Sequence, residues 1–369
     1  MRVIIFVTND IETDERLKRS VNSLIDIGID VLVVGVIRRN SNIDYSPSFK
    51  IKRFNLFFDR SFLFYLEFNL RLFFLLLKEN SDFLFANDLD TVLGSYLSSL
   101  IKRKPMIIDS HEYFTGVPEL NGRGIVKSIW KFIERWIYPK IKYHITVSYS
   151  IADMFNKEYG IKPVVIRNIP AECFERNDNK HQIVVPFAKY IIYQGALNKD
   201  RGLEELIQAM PFVAEDLGLV IAGTGDIDKE LIRLVKVLNL ENRVFFTGRY
   251  SNSNINRITS KALMGVSLEK DSNINYRYCL PNKLFSYIQA SIPVIVSNMP
   301  EMASFVKDNN LGIVILDSTP KSIATSIKEL LNSQELYSML KSSVNIAKEK
   351  YSWNNEKIKL TNFINDSIN

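Results

Sequence analysis

Short, wholly apolar runs alternate with amphipathic segments along most of the chain. The first run, VIIFV at 3–7, is followed by a segment at 16–28 with apolar residues at helical spacing, and then by VLVVGV at 31–36. An apolar run without polar alternation is typical of a strand buried on both faces, and a strand–helix–strand unit joins parallel strands. The beginning of the sequence therefore predicts a parallel α/β sheet.

The same alternation continues through the rest of the sequence. Further apolar runs predict strands at 83–87, 106–110, 143–148, 164–168, 190–195, 217–223, 243–248, 262–269, 292–297 and 312–316. Amphipathic stretches separate them, for example at 202–215 and 281–290, and a polar segment bounded by prolines at 169–186 is predicted to be a linker. Because 369 residues suit two domains, we predict two doubly wound α/β domains, 1–169 and 170–345.

Composition limits the chemistry that the chain can carry. Hydrophobic residues make up 46% and charged residues 24%, which is typical of a globular protein. The two cysteines, Cys173 and Cys279, are too few for a disulfide framework or a thiolate metal site. The three histidines, His111, His144 and His181, argue against a zinc site of the common histidine-rich kind.

Most of the net charge of +6 lies in the first half, where residues 1–168 hold 24 Lys and Arg against 19 Asp and Glu. Such an excess suits a phosphorylated ligand, nucleic acid, an anionic membrane or simply a solvated surface. Basic, aromatic stretches at 60–78 and 127–142 are compatible with core helices or with membrane-surface contact. The apolar run at 62–77 is too short and too often interrupted to span a membrane. No signal peptide precedes the first strand, so a cytoplasmic location is expected.

Titratable residues follow one first-half strand directly. Asp109, His111 and Glu112 lie within four residues at the carboxyl end of the predicted strand 106–110. A histidine there can orient a substrate hydroxyl or share charge with a neighbouring carboxylate, and capping of the next segment is the alternative.

Glycines and cations follow the strands of the second half. Gly195 ends one strand and Arg201 follows in the next loop, while Gly223 and Gly225 form a second strand–glycine–helix turn. Backbone N–H groups at a helix start attract anions, and an arginine can clamp a phosphate. The segment is neither a P-loop nor GxGxxG, which argues against an NAD-dependent dehydrogenase.

The segment PNKLFSY places Asn282 and Lys283 in the first turn of a predicted helix, after Pro281. A lysine at a helix N-terminus conflicts with the helix dipole, and a bound anion would remove that conflict. The second half therefore predicts a phosphorylated ligand at the carboxyl ends of its strands.

In order and spacing, these motifs resemble those of retaining glycosyltransferases of family 4. DSHE, TVS, YQG…DRGLEELIQA, AGTGD, VFFTG and PNKLFSYIQASIPVIVSNMPE all match, so the resemblance covers nearly the whole chain. It implies the α/β GT-B fold, two doubly wound Rossmann-like domains facing each other across a cleft. It also implies that the segment 346–369 is a final helix returning to the first domain.

The resemblance implies a role for each matching residue. Arg201 would hold the donor diphosphate, Asn282 and Lys283 would lie against it, and His111 would contact the donor sugar near the reacting carbon. The remaining implied donor-binding residues are Asp109, Glu112, Gly195, Gly223, Gly225 and Ser286. The implied reaction is transfer from a nucleotide-sugar to a saccharide or lipid-linked acceptor, with retention of configuration and without a metal. The implied setting is bacterial surface-polysaccharide assembly at the inner face of the cytoplasmic membrane, with no nucleic-acid partner.

Some positions depart from the family pattern. Tyr278 and Ser286 stand where the family commonly has two glutamates, the second of which usually holds the ribose, and Glu269 is an open candidate to substitute. A catalytically inactive sugar-nucleotide-binding protein, or an epimerase of the same fold, therefore remains as an alternative. Asp88 and Asp90 superficially resemble the DxD metal motif of the other large glycosyltransferase fold, and we interpret them as capping and loop residues.

Overall fold

The computed structural model describes residues 1–39, 41–170, 183–250 and 252–368. Most of the predicted linker at 169–186 lies outside these ranges, as do Cys173 and His181. The chain divides into two compact units. The first domain comprises Met1–Asn168 and Glu356–Asn369, and the second comprises Ile169–Asn355.

Within the described residues, the first domain contains one sheet of seven parallel strands. They are β1 (Arg2–Phe6), β2 (Asp30–Val36), β3 (Lys50–Phe54), β4 (Phe83–Asn87), β5 (Met106–Ser110), β6 (Tyr143–Thr146) and β7 (Val164–Val165). Their spatial order is β3-β2-β1-β4-β5-β6-β7, so the direction of winding reverses at β1. Ile5 of β1, for example, lies between Val33 of β2 and Phe85 of β4. This is the predicted doubly wound arrangement.

The hydrophobic pattern did not predict β3. Its sequence, KIKRF, mixes charged and apolar residues, and Lys50 and Lys52 are exposed. Because β3 is an edge strand, one side of it needs no pairing partner and its faces need not be fully apolar.

Five helices of the first domain connect or follow these strands. They are α1 (Glu15–Asp26), α2 (Ser61–Lys78), α3 (Val92–Lys102), α4 (Gly124–Ile137) and α5 (Tyr149–Tyr159). Crossovers between parallel strands are almost always right-handed, which predicts α2, α3 and α4 on one face of the sheet and α1 on the other. Helix α3 indeed contacts both α2, at Asn69, and α4, at Trp136. Of the helices in the described ranges, none combines the length and apolar character needed to cross a membrane.

The second domain repeats this topology with six parallel strands in the part of the chain described. They are β8 (Lys189–Gln194), β9 (Leu217–Ala222), β10 (Val244–Gly248), β11 (Met264–Ser267), β12 (Val294–Ser297) and β13 (Gly312–Ile315). The order β10-β9-β8-β11-β12-β13 reverses at β8. The carboxyl ends of β8 and β11 therefore lie beside each other at the point of reversal, where ligands bind in open α/β sheets.

Helices cover both faces of the second sheet. They are α6 (Leu203–Ala209), α7 (Asp228–Val237), α8 (Asn252–Thr259), α9 (Ile274–Arg277), α10 (Asn282–Gln289), α11 (Pro300–Asp308), α12 (Pro320–Asn332) and α13 (Gln334–Lys350). One hydrophobic core lies under α6, α7 and α12, and a second lies under α8, α10, α11 and α13. The helix predicted at 202–215 ends early because Pro211 follows, and a short 3-10 turn replaces it.

The last helix, α14 (Trp353–Ile368), joins the first domain from Glu356 onward. The Glu356 carboxylate accepts a hydrogen bond from the Arg167 backbone N–H at 2.9 Å, and Lys357 forms an ion pair with Asp26 at 2.6 Å. The segment that returns to the first domain was predicted to start at residue 346. In the structure it starts at Glu356, because α13 continues through Lys350 within the second domain.

Helices α2 and α3 approach each other closely at Gly94. A Cβ atom on Gly94 would lie 2.3 Å from the carbonyl oxygen of Asn69 on α2. The Asn69 side chain also accepts a hydrogen bond from the Gly94 N–H at 2.9 Å and donates one to the Asp90 carbonyl at 2.8 Å. Position 94 therefore has no room for a side chain without separating the two helices.

We expect Gly94→Ala to lower the free energy of unfolding by about 1–3 kcal/mol, because overpacking forces the backbone apart. Gly124→Ala at the start of α4 is the matched control, since a Cβ there meets nothing within 4 Å. It should leave stability unchanged or raise it by up to about 1 kcal/mol through helix propensity. Urea denaturation followed by circular dichroism measures both, and equal effects of the two substitutions would contradict the close packing.

Candidate functional site

A buried carboxylate follows β11 at the carboxyl edge of the second sheet. Glu269 has no exposed surface. Its Oε1 accepts a hydrogen bond from Lys283 Nζ at 2.7 Å and lies 3.2 Å from Arg201 Nη1. Its Oε2 accepts one from the Ser267 hydroxyl at 2.7 Å. The two cations predicted to bind phosphate are thus brought together by a carboxylate whose role the sequence left open.

The charges of this cluster stabilise one another. Burial raises the pKa of Glu269, but the positive charges of Lys283 and Arg201 outweigh it and lower the pKa to about 2. Burial lowers the pKa of Lys283, but Glu269 outweighs that effect and raises the pKa above its ordinary value. All three groups are therefore ionised at neutral pH, which leaves one net positive charge.

Aromatic rings hold both cations in position. Lys283 Nζ lies 4.1 Å from the ring centroid of Tyr193, and the Arg201 guanidinium lies 4.5 Å from that of Tyr276. Lys283 is buried, whereas 22% of the Arg201 side chain is exposed. Cation–π contacts restrict the motion of both side chains without neutralising their charge.

The structure adds a protein counter-ion for Lys283. Glu269 offsets its position in the first turn of α10, and the binding of an anion beside it stays a prediction. Asn282 is exposed at the start of this helix, and the N-cap residue, Pro281, makes no side-chain capping hydrogen bond. The Leu284 N–H donates to the Pro281 carbonyl at 3.0 Å, and the N–H groups before it lack a capping partner on the N-cap side chain.

The predicted glycines lie in two loops that contact each other. Gly195 and Gly223 have φ values of +136° and +143°, which L side chains rarely adopt. A Cβ on Gly223 would lie 1.9 Å from the Gly195 carbonyl oxygen, and one on Gly225 would lie 2.4 Å from that of Leu197. The Gly225 N–H donates to the Asp228 side chain at 2.7 Å. Gly223 and Gly225 are therefore required by packing between the loops, whereas Gly195 is favoured by its backbone conformation alone.

Of the two positions that depart from the family pattern, Tyr278 directly follows α9 and Ser286 lies within α10. Ser286 is partly exposed, and its hydroxyl donates to the Asn282 carbonyl at 3.3 Å. The Arg277 guanidinium lies 5.9 Å from the ring centroid of Tyr278. Glu269 is not placed to replace a ribose-binding glutamate, because its carboxylate is buried and occupied by Lys283, Arg201 and Ser267.

A second buried ion pair lies at the carboxyl edge of the first sheet. Arg16 Nε and Nη2 donate to the two carboxylate oxygens of Asp109 at 3.0 and 2.7 Å, and Nη1 donates to the Ile166 carbonyl at 3.0 Å. Both side chains are almost fully buried. Burial raises the pKa of Asp109, but Arg16 and His111 outweigh it and hold the pKa well below its usual range. Asp109 therefore positions its neighbours and does not reach solvent.

Arg16 was not predicted as a site residue. It lies in the first turn of α1 within RLKRS, where neighbouring basic residues suggest a solvated helix face. Only the position of β5 beneath this turn distinguishes it from Lys18, which is partly exposed.

His111 lies between two carboxylates. Its Nε2 is 3.3 Å from Asp109 Oδ2, its Nδ1 is 3.3 Å from Asp88 Oδ2, and its backbone N–H donates to Asp88 Oδ1 at 2.8 Å. Burial lowers the pKa of His111, but Asp88 and Asp109 outweigh it and raise the pKa to about 9. The imidazole is therefore protonated at neutral pH.

The segment NDLDT, at 87–91, contacts His111 through the side chain of Asp88. Asp88 has a φ of +58°, which is strained for a residue with a side chain. Asp90 is buried and accepts a hydrogen bond from the Thr8 hydroxyl, and its pKa is raised to about 7 by burial and by Asp88. Glu112 is exposed beside them. Within the described ranges, no three His, Cys, Asp or Glu side chains are grouped to hold a metal.

Two family models match most of the chain. Residues 17–170 match the model described as Glycosyltransferase Family 4, and residues 175–345 match Glycosyl transferases group 1. An uncharacterised glycosyltransferase of Methanocaldococcus jannaschii is 30% identical over 175 residues, 45% of this chain and 42% of that protein.

A second relative is N-acetylgalactosamine-N,N'-diacetylbacillosaminyl-diphospho-undecaprenol 4-alpha-N-acetylgalactosaminyltransferase of Campylobacter jejuni. It is 41% identical over 131 residues, 33% of this chain and 34% of that protein. The chain thus matches less than half the length of either relative.

Solved structures resemble the whole chain at low identity. Sucrose-phosphate synthase from Thermosynechococcus elongatus has a TM-score of 0.78 at 14% identity, covering 99% of this chain and 98% of its own. HepE from Anabaena in complex with UDP-glucose has a TM-score of 0.74 at 14% identity. The match covers 99% of this chain and 100% of the HepE chain. These similarities establish the fold. Together with the two family models, they show that the chain belongs to the family 4 glycosyltransferases of the GT-B fold.

Proposed function

We propose that this chain transfers a sugar from a nucleotide-sugar donor to a saccharide or lipid-linked saccharide acceptor, with retention of configuration. The cluster of Arg201, Glu269 and Lys283 at the carboxyl edge of the second sheet carries this proposal. When the bond to the sugar breaks, the departing nucleoside diphosphate gains negative charge. Cations that are already fixed in place stabilise that charge without reorganising, which is the usual source of large electrostatic catalysis.

Glu269 makes this arrangement effective. It keeps Lys283 ionised despite burial, and it leaves the cluster with one net positive charge facing the diphosphate. Arg201 supplies a fork of donors suited to phosphate oxygens. We propose that these two cations, with the uncapped start of α10, replace a metal ion in neutralising the leaving group.

The donor and acceptor classes are supported by relatives. HepE, which shares the fold, binds UDP-glucose, and the Campylobacter jejuni relative is named for a diphospho-undecaprenol-linked saccharide. We therefore propose a UDP-sugar or a related donor, and a lipid-linked acceptor in bacterial surface-polysaccharide assembly. The proposed place of work is the inner face of the cytoplasmic membrane. Ser286 is the proposed ribose-side position.

His111 is proposed to contact the sugar undergoing transfer as a cationic hydrogen-bond donor. Because its pKa is raised to about 9, it is already protonated at neutral pH and does not act there as a general base. In the proposed front-face reaction, the glycosidic C–O bond to the diphosphate breaks as the acceptor oxygen bonds to the same carbon. The acceptor proton passes to a leaving phosphate oxygen.

Two alternatives keep the same fold. A sugar-nucleotide-binding protein without activity would bind donor and yield neither transfer nor hydrolysis, which Tyr278 and Ser286 leave open. An epimerase would convert the donor sugar without an acceptor. Nucleotide binding by thermal shift, followed by product analysis with and without acceptor, separates all three.

We expect Arg201→Ala and Lys283→Ala each to lower kcat by about 10²–10³, as loss of one charge-stabilising donor does. Lys283→Ala also leaves Glu269 buried with one partner fewer, so the paired variant Lys283→Met/Glu269→Gln, which removes both charges, serves as its folding control. Lys229→Ala on α7, an exposed lysine, controls for loss of charge. Near-normal turnover in folded Arg201 and Lys283 variants would refute the diphosphate site.

Chelation should leave transfer intact. The expected result is unchanged initial velocity in excess EDTA, because Arg201 and Lys283 supply the neutralising charge. Loss of activity that a divalent ion restores would show that the two cations do not suffice.

The charge of His111 predicts a pH-dependent contribution to stability. Its folded pKa of about 9 exceeds the ordinary value of 6.5, so its stabilising effect is complete below about pH 6.5 and is lost as pH rises through 9. The difference in unfolding free energy between the wild type and His111→Gln should therefore shrink from pH 6.5 to 10. Urea denaturation at several pH values measures it, and a constant difference would contradict a protonated His111.

A further inference from the structure

Exposed apolar side chains follow one side of α2 in the first domain. Phe62, Leu66, Leu70 and Phe74 recur at every fourth position, and each is between 46% and 67% exposed. Residues at this spacing lie on one side of a helix. The opposite side of α2 is buried, so this helix is apolar on both its inner and its outer side.

Helix α4 carries a similar stripe. Ile125, Ile129, Phe132 and Trp136 are all exposed, and Phe132 is 68% exposed. Their spacing of four, three and four positions again places them on one side of the helix. Scattered exposed apolar residues are ordinary on protein surfaces, but matching stripes on two helices of one layer are not.

Helix α3 joins the two stripes into one surface. It exposes Leu97, Leu100 and Ile101. It packs against α2 at the close approach described above, and against α4 through the rings of Tyr96 and Trp136, whose centroids are 5.9 Å apart. The exposed residues of the three helices therefore form one surface, called here the α2–α4 apolar face.

The loop before α2 extends this face. Phe57 is 89% exposed and Phe58 is 44% exposed. The Glu67 carboxylate accepts hydrogen bonds from the backbone N–H groups of both, at 2.9–3.1 Å, and pairs with Arg71 at 2.6 Å. The Arg71 guanidinium lies 5.2 Å from the Phe57 ring centroid. The loop is thus fixed by its own contacts while it presents two phenyl rings to solvent.

A basic cavity adjoins the apolar face. It has a volume of about 430 Å³ and is lined by Arg103, Lys104, Lys140 and Lys142, together with apolar and aromatic residues that include Leu100 of the apolar face. None of these four cations forms an ion pair with a residue in the described ranges, and the lining includes no acidic residue. The cavity is therefore suited to an anionic group of phosphate size.

The cavity lies away from the candidate transfer site. Met106, the first residue of β5, lines it, whereas His111 follows the last residue of the same strand. A five-residue strand is about 16 Å long, so the cavity lies at the edge of the sheet opposite to Asp109 and His111. It is not the proposed donor site.

We propose that the α2–α4 apolar face docks on an anionic phospholipid bilayer, with a phosphate-bearing lipid headgroup in the basic cavity. Apolar side chains beside cations that form no ion pair within the described residues complement the layered chemistry of an anionic bilayer, in which phosphate lies above hydrocarbon. This inference rests on the proposed function only for its membrane setting, since docking itself requires no sugar transfer.

The test is flotation of the full chain with vesicles of phosphatidylcholine alone or with phosphatidylglycerol, at low and high salt. We expect binding to the anionic vesicles that weakens as salt rises. Lys140→Ala/Lys142→Ala should lower the partition coefficient about 30-fold, since each basic residue near an anionic surface contributes about one factor of five. Lys229→Ala/Lys236→Ala, on exposed α7 positions, removes the same charge and should change binding little.

Phe62→Ser/Phe74→Ser tests the apolar part and should weaken binding without unfolding the chain, because both rings are exposed. Equal binding to neutral and anionic vesicles, or no loss with Lys140→Ala/Lys142→Ala, would overturn the proposal. So would a lipid-free dimer that Phe62→Ser/Phe74→Ser converts to monomer, because a second copy would then cover the face. Transfer to a soluble acceptor should be unchanged in Lys140→Ala/Lys142→Ala, so failure of docking and failure of the proposed activity are separate results.

Discussion

Glu269 has no contact with water, yet it remains ionised because Lys283 and Arg201 lie within 3.2 Å of its carboxylate. The positions of β8, β11 and α10 relative to one another determine whether these three side chains meet. A carboxylate left alone at this depth would take up a proton or destabilise the fold, and a lysine left alone would lose its proton. The fold of the second domain and the charge of its site therefore depend on the same interaction.

The first domain uses a comparable arrangement at the same edge of its sheet. Asp109 is buried against Arg16, and this fixed carboxylate then helps to raise the pKa of His111. In both domains, a buried acidic residue determines the charge and orientation of a neighbouring cation. A buried ion pair is weak evidence for stability, but removal of one partner is costly. Substitutions in these pairs consequently affect the fold and the site together.

Much of this arrangement was predictable from the sequence. The apolar runs gave the strands of both sheets except β3, whose edge position allows charged residues. The strand-end motifs predicted that His111, Arg201 and Lys283 lie at the carboxyl edges of the sheets, because parallel strands gather their carboxyl ends at one edge. Arg16 could not be found in this way, since its burial depends on contacts with β5, far away in the sequence. The role of Glu269 was also hidden, because sequence spacing does not reveal which carboxylate meets a given cation.

The route of the chain through the two domains affects how they form. Residues up to Asn168 belong to the first domain, the next stretch forms the second, and α14 then returns to the first. During synthesis, the whole second domain emerges from the ribosome before Glu356 becomes available to accept the Arg167 N–H. Because domains generally fold as units, the second domain can be complete while part of the first is still uncovered. The nascent chain therefore passes through a stage in which the docking site for α14 is uncovered and accessible to chaperones.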